Sequence, residues 1–390
     1  MRVAGIVAEF NPFHNGHLYL ARQARDRGAT HLVAAMSGTF VQRGEAAFAD
    51  KFLRAEAAVR SGIDLVLDLP VPWSLGGAAT FSRGAVAMLC NLGCDSLAFG
   101  CETDDAVLLH HTAQTLLLES VMETAAAKMK QGLTYPAALH QTLVEQNAAD
   151  CASVLETPNN VLAVEYIKAM KALNCDMDLI PVKRFGSAHD APLGDTAISS
   201  AAALRALDDI TLAAPYMPAE AHRVYADNTG RLLDHQSFET AVLTALRLLP
   251  ASSFDAYVDD HSGLTDRVRS AVKTSASLSD LYQSAKTKSV TLSKVRREVM
   301  HLFLQISPDF AKSTPPFLRV LAANERGLEV LNASKHSLPL LTKHAETASL
   351  SQEAKAIYDL QCRASDLYAL CTKEKGACCT EQTSSIQIIR

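Results

Sequence analysis

The 390-residue chain has no C-x-x-C pair, and its nine cysteines are scattered between Cys90 and Cys379 in an odd number. That spacing excludes a zinc ribbon and does not suggest a disulfide framework. Buried small apolar side chains are the natural role for such cysteines, although Cys90 and Cys94 could approach on one helix face. No uninterrupted apolar stretch approaches the roughly 20 residues that a membrane-spanning helix needs. No basic, apolar leader pattern precedes the first strand-like run, so a cytoplasmic, reduced enzyme without a membrane partner is expected. Positive charge is not in surplus. With 37 Lys and Arg against 42 Asp and Glu, the formal charge of -5 argues against a generally basic nucleic-acid coat and leaves room only for a local basic face. Internal repeats and low-complexity tracts are also missing. What remains is an ordinary globular composition, 48% hydrophobic and 20% charged, long enough for two domains and a sizeable core.

The chain opens MRVAGIVAEFNPFHNGHLYL. Residues 3–8 have the length and the Val/Ile content of a buried parallel strand. The run breaks at Asn11-Pro12, because proline disfavours helix for the residue before it. His14-Asn15-Gly16-His17 follows, and then a helix-like segment over residues 18–27. Strand, tight loop and helix start together present free backbone N–H groups and a positive dipole end to an anion. His14 and His17 are three apart, so a helical start places both rings on one face. Gly16 removes the side chain that would hold a phosphate off the backbone. A pair of histidines closing a turn or holding a metal is the plainer alternative.

Strands alternating with helices continue over residues 31–35, 63–69, 96–99 and 178–182, the pattern of βαβ units and a mainly parallel sheet. The polar loop over residues 36–45 falls at a strand's carboxyl end, where open α/β sheets bind ligands, so Ser37, Thr39, Gln42 and Arg43 are candidates there. Gln42 and Glu45 fit a solvated loop equally well. Asp50 caps a helix over residues 51–61. Gly100 either turns the chain or lets an adenine or ribose lie on the backbone. Asn159 and Asn160 read first as an N-cap signal for a helix over residues 161–173, and second as amide donors to a nucleotide. Lys183 and Arg184 end a strand where a polyphosphate would lie, Arg being able to bind it in bidentate fashion. Ser199 and Ser200 put two hydroxyls at a helix start, either an ordinary cap or a second anion site.

Beyond Arg205 the strand signal fades. Residues 104–146 read as helical, and so do 240–249, 264–275, 291–306, 317–331 and 353–370. A boundary therefore falls near residues 207–218, giving a first domain over 1–207 and a second over 208–390. The densest basic cluster of the second half is Lys286, Lys288, Lys294, Arg296 and Arg297. It is either a solvated helix face or a phosphate-backbone contact for RNA.

The His14-Asn15-Gly16-His17 motif resembles the HxGH signature of the nucleotidyltransferase superfamily. Together with residues 8–17, 37–45 and 64–70 (DLVLDLP), and with LAFG at 97–100, Pro158-Asn159-Asn160, Val182-Lys183-Arg184 and the 198–205 segment, the chain resembles the tRNA(Met) cytidine acetate ligase family. The likeness covers nearly the whole chain and is strongest over residues 1–205. It implies a Rossmann-like nucleotidyltransferase domain followed by a mainly α-helical domain that contacts tRNA. It implies ATP, with Mg²⁺ carried mainly by phosphate oxygens since no carboxylate cage is legible, plus acetate and elongator tRNA(Met). Acetyl-adenylate would form first, and the acetyl group would then pass to N4 of the wobble cytidine. ATP contacts carry over onto Val7, Ala8, Glu9, Phe10, Asn11, Pro12, Phe13, His14, Asn15, Gly16, His17, Leu18, Tyr19 and Leu20, and onto Gly100, Asn159, Asn160 and Arg184. His14, His17, Arg184, Ser199 and Ser200 would act on the phosphates. An adenylyltransferase acting on a small phosphorylated metabolite is the alternative, disfavoured by a helical half of about 180 residues, more than one small substrate needs.

Overall fold

The computed structural model describes residues 1–184, 198–207, 209–257 and 263–390. Ten strands fall among them: β1 (Val3–Ala8), β2 (His31–Ser37), β3 (Phe40–Val41), β4 (Glu45–Ala46), β5 (Leu65–Leu69), β6 (Ser96–Cys101), β7 (Asp178–Lys183), β8 (Leu318–Ala323), β9 (Leu340–Leu341) and β10 (Gln387–Ile388). Eight of them form one sheet in the order β10-β8-β5-β2-β1-β6-β7, with β9 also paired to β8. All pairings are parallel except β5 with β8. The expected mainly parallel α/β fold is thus observed.

Alternation along the strands builds the two faces. Val3, Val33 and Leu65 pack with Leu89 and Val164 on one side, while Ala4, Ile6 and Leu32 pack with Ala24 and Leu53 on the other. From β1 the chain steps outward to β2 and β5 on one side and to β6 and β7 on the other. A crevice therefore opens beyond the carboxyl ends of β1 and β6, where strand order reverses.

The second half departs from its sequence reading. Residues 317–331 were expected to be one helix, but β8 occupies Leu318–Ala323 and a helix follows only at Glu325–Ala333. All six β8 residues are buried, and a short continuous apolar run looks alike in a buried strand and a buried helix. The 104–146 stretch is three helices, Ala106–Thr115, Glu119–Lys130 and Tyr135–Glu145. Helices at His235–Leu248, Leu264–Thr274, Leu292–Leu304 and Gln352–Ala369 match expectation closely. They share a core with the first half, since Phe40 of β3 lies 6.4 Å from Phe238 and 6.3 Å from Phe303 between ring centroids. Asp208, first residue of the expected second domain, lies outside the described residues. Cys90 is joined to Cys175 in a disulfide, which corrects the reading of Cys90 as a buried apolar side chain; the other seven cysteines are free, and Cys94, Cys101, Cys151, Cys362 and Cys371 among them are buried as expected. The partners lie 85 residues apart, a pairing that only the packing of two helix ends brings about. No described helix is long and apolar enough to cross a membrane.

Candidate active site

The loop after β1 delivers His14 to the N-cap of the helix Asn15–Asp26, and the two histidines cap that helix together. Nδ1 of His14 accepts the Gly16 N–H at 3.0 Å, and Nδ1 of His17 accepts the His14 N–H at 3.2 Å. The rings stack with centroids 3.8 Å apart and planes 28° from parallel. A Cβ on Gly16 would fall 2.8 Å from His14 Cε1, so the glycine makes room for the ring. Burial, then the charges of Arg184 and Arg205, push His14 down to about 3. Burial, then His14 and Arg184, hold His17 well below its ordinary value. Both rings are therefore neutral at pH 7. Since Nδ1 accepts on each, the remaining proton sits on Nε2, the nitrogen left to donate to a ligand.

Other parts of the chain hold this loop in place. Tyr225 Oη accepts the Phe13 N–H at 3.2 Å, and Asn15 Nδ2 donates to the Pro215 carbonyl at 3.1 Å. Fully buried Arg54 spans the ends of β1 and β2, donating to the Glu9 carbonyl at 2.5 Å, to the Ala49 carbonyl at 2.9 Å and to the Gly38 carbonyl. Arg205 donates to the Asn11 carbonyl at 2.9 Å.

A cleft lies over this loop, lined by His14, Gly16, His17, Gly100, Asn159, Arg184 and Ser199. Of the first expected segment, Val7, Ala8, Glu9, Phe10, Asn11, Tyr19 and Leu20 also line it. Pro12, Phe13, Asn15 and Leu18 do not; Phe13 is buried against Phe10 and His17 instead. Gln42 and Arg43 reach the cleft, whereas Ser37 and Thr39 are buried in the sheet and hairpin beneath it. A Cβ on Gly100 would meet only Arg184, at an ordinary 3.5 Å, so no protein neighbour demands glycine there. The helix after the Asn pair begins at Pro158 with Thr157 as its cap, so neither asparagine is the N-cap. Asn160 is buried and its Oδ1 accepts the Glu102 and Thr103 N–H groups, fixing the chain beyond β6. Asn159 Nδ2 donates to Glu102 Oε1 at 2.5 Å from the rim of the cleft. Ser200 caps the five-residue helix Ala201–Arg205 through the Ala203 N–H. Ser199 faces the cleft, and its buried hydroxyl has no protein partner among the described residues.

The HIGH Nucleotidyl Transferase family pattern matches residues 1–383. A tRNA(Met) cytidine acetate ligase of Caldicellulosiruptor saccharolyticus is 33% identical over 385 residues, 96% of this chain and 95% of that protein. One from Syntrophotalea carbinolica is 35% identical over 88% of this chain and 85% of its own. The crystal structure of Thermotoga maritima TmcAL bound with alpha-thio ATP superposes with a TM-score of 0.90 at 26% identity, covering all of both chains. The chain belongs to the tRNA(Met) cytidine acetate ligase family.

In this member of the ligase family the basic cluster divides. Lys286 and Lys288 are exposed. Arg296 instead pairs with Glu45 and lies 5.4 Å over the Tyr282 ring, and Arg297 Nη1 donates to the Gln42 carbonyl at 3.4 Å. Lys294, half-buried, stands at the start of the same helix, Leu292–Leu304. Gly44 has φ +79°, and a Cβ there would lie 2.5 Å from the Arg297 nitrogen, so the β3–β4 turn docks backbone to backbone on this helix. Among the described residues, no group of three His, Cys, Asp or Glu side chains is arranged to hold a metal. Arg54 and Tyr225 went unnoticed in the sequence, since one arginine in a helix and one distant tyrosine carry no local pattern.

Proposed function

We propose that this protein activates acetate with ATP and transfers the acetyl group to N4 of the wobble cytidine of elongator tRNA(Met). The observation that carries this reading is the histidine pair. Two neutral rings turn Nδ1 to the backbone and leave Nε2–H for the cleft, with Arg184 alongside. Fixed donors of this kind stabilise charge that develops on a nucleotide's phosphates, and they need no reorganisation during the reaction. An acetate oxygen attacks the α-phosphorus, the bond to the bridging oxygen breaks, and pyrophosphate leaves with that electron pair. The cytidine N4 then attacks the acetyl carbon, AMP departs and N4 gives up a proton. Positioning supplies most of the advantage in the first step, as in other phosphoryl-centre displacements.

Each residue takes a role on this reading. His14, His17 and Arg184 hold the phosphates, and the spare Ser199 hydroxyl adds a donor. Ser200 supports them by capping the helix that carries Arg205. Gly100 leaves the β6 backbone bare for adenine or ribose, and Asn159 lies at the same rim. The nucleotide, rather than protein side chains, would carry Mg²⁺, whose charge would ease departure of pyrophosphate. Residues 1–207 form the adenylating part and residues 208–390 carry tRNA contacts, with the protein at work in the cytoplasm.

The test is exchange of labelled pyrophosphate into ATP, run without tRNA across short carboxylic acids. Exchange that depends on acetate is expected. Absence of exchange with every acid overturns the reading.

A further inference from the structure

A second cavity lies beside the nucleotide cleft, between the β4 hairpin and the helices of the second half. Glu45, Phe48, Arg205, Phe238, Tyr282 and Arg296 line it. Asn11 connects the two spaces. It lines the nucleotide cleft, yet its Oδ1 accepts the Phe48 N–H at 2.6 Å and its carbonyl accepts Arg205 Nη1 at 2.9 Å. Its Nδ2 is buried without a partner among the described residues, a donor left over beside the nucleotide cleft.

We propose, resting on the ligase reading above, that this second cavity receives the unstacked cytosine to be acetylated, and that Glu45 accepts a hydrogen bond from its N4 amine. A base inside a stacked loop cannot bring N4 to an acyl group held in a cleft, so it must leave the stack. Unstacked RNA bases settle on aromatic rings and guanidinium planes; half-buried Phe48 and Arg296 supply one of each, while Phe238 and Tyr282, 7% and 8% exposed, line the cavity from the core. Cytosine presents an amine donor where uracil presents a carbonyl acceptor, so a carboxylate at that edge attracts the first and repels the second.

Glu45 suits this task. Arg296 holds Oε1, and Arg205 Nη2 stands 3.9 Å from Oε2, so the carboxylate is oriented while lone pairs remain for a third donor. The other acid lining the cavity, Glu239, already has Oε2 committed to the Leu278 N–H at 2.8 Å. Arg205 links the two spaces directly, since the guanidinium that faces Glu45 also grips the loop before His14.

The experiment uses the full-length protein and full-length tRNA(Met) transcripts. Acetate-dependent pyrophosphate exchange is measured first, and its absence overturns the ligase reading and this placement with it. With exchange present, a transcript carrying 5-iodocytidine only at the wobble position is irradiated on the wild-type protein. The adduct is expected on Phe48, Phe238 or Tyr282; an adduct elsewhere overturns the placement and leaves the ligase reading standing. Glu45→Gln then tests the contact. Acetyl transfer should lose about 10- to 100-fold in kcat/KM, the size of one charge-assisted hydrogen bond. A transcript with uridine at the wobble position, a poor competitor on the wild type, should compete nearly as well as the cytidine transcript on the variant. An unchanged preference overturns the role of Glu45. The crosslink decides the placement even if the variant folds poorly.

Discussion

Lys51 and Glu381, near opposite ends of the sequence, form an ion pair in which neither side chain is more than 3% exposed. Lys51 Nζ also lies 2.5 Å from Asp68 Oδ2, and Gln361 Nε2 donates to the same oxygen at 2.8 Å. Burial alone would lower the lysine's pKa, but the two carboxylates outweigh it and raise it, so the ammonium stays charged. The C-terminal segment is thus fastened to the strand ends beneath the active-site loops.

Lys51→Met should therefore be costly. It leaves buried Asp68 without its paired ammonium and Glu381 with only Arg319, 3.5 Å away, a loss of about 3–5 kcal/mol. Urea denaturation of the variant beside the wild type measures it. A difference under about 1 kcal/mol would show that the cluster is hydrated rather than buried.

His17→Ala should cost roughly 100- to 1,000-fold in pyrophosphate exchange, the loss typical of removing one preorganised donor. It also removes the acceptor for the His14 N–H, so a stability loss of about 1 kcal/mol is expected from the missing cap. Near-normal exchange in a folded variant would make the ring purely a cap.

Acid should destabilise the ligand-free protein through the same pair. In the unfolded chain each ring binds a proton as pH falls through about 6.5, whereas in the folded protein His14 resists until about 3 and His17 is likewise held low. Between those limits the unfolded state binds more protons, so stability is complete above pH 6.5 and drains away on acidification. The slope approaches about 1.4 kcal/mol per pH unit for each histidine. Unfolding free energies at pH 7.5 and 5.5 should differ less in His14→Asn/His17→Asn than in the wild type; equal differences would refute the low values.

Lys286→Ala with Lys288→Ala should weaken tRNA binding and reduce the slope of log K against log salt by about two, one for each lost phosphate contact. Arg297→Ala should slow adenylation as well, because Arg297 holds the Gln42 carbonyl and the Gln42 N–H donates to Glu9 Oε1 at 2.9 Å in the cleft wall. Salt titration of binding and the exchange assay separate the two effects. A common phenotype for both variants would mean that the cluster acts as one surface.

Much of the site was legible because its chemistry is local. A buried strand, an Asn-Pro break and a histidine pair around a glycine lie within twenty residues, and backbone geometry alone puts them at a helix start. The carboxyl ends of β6 and β7 could be read for the same reason, since strand polarity decides on which edge Gly100 and Arg184 fall. What no short window could report is which groups close on that loop from a distance. Residues 318–323 join the sheet because β5 offers an unpaired edge, not because of any local preference for strand over helix. Asn160 belongs to the loop beyond β6, Arg296 to a hairpin more than two hundred residues earlier, and Tyr225 to the Phe13 amide. Local sequence sets where a helix starts and which atoms it leaves free; long-range packing alone selects the partners that meet them, because a buried polar group takes whatever complementary group the fold brings within reach.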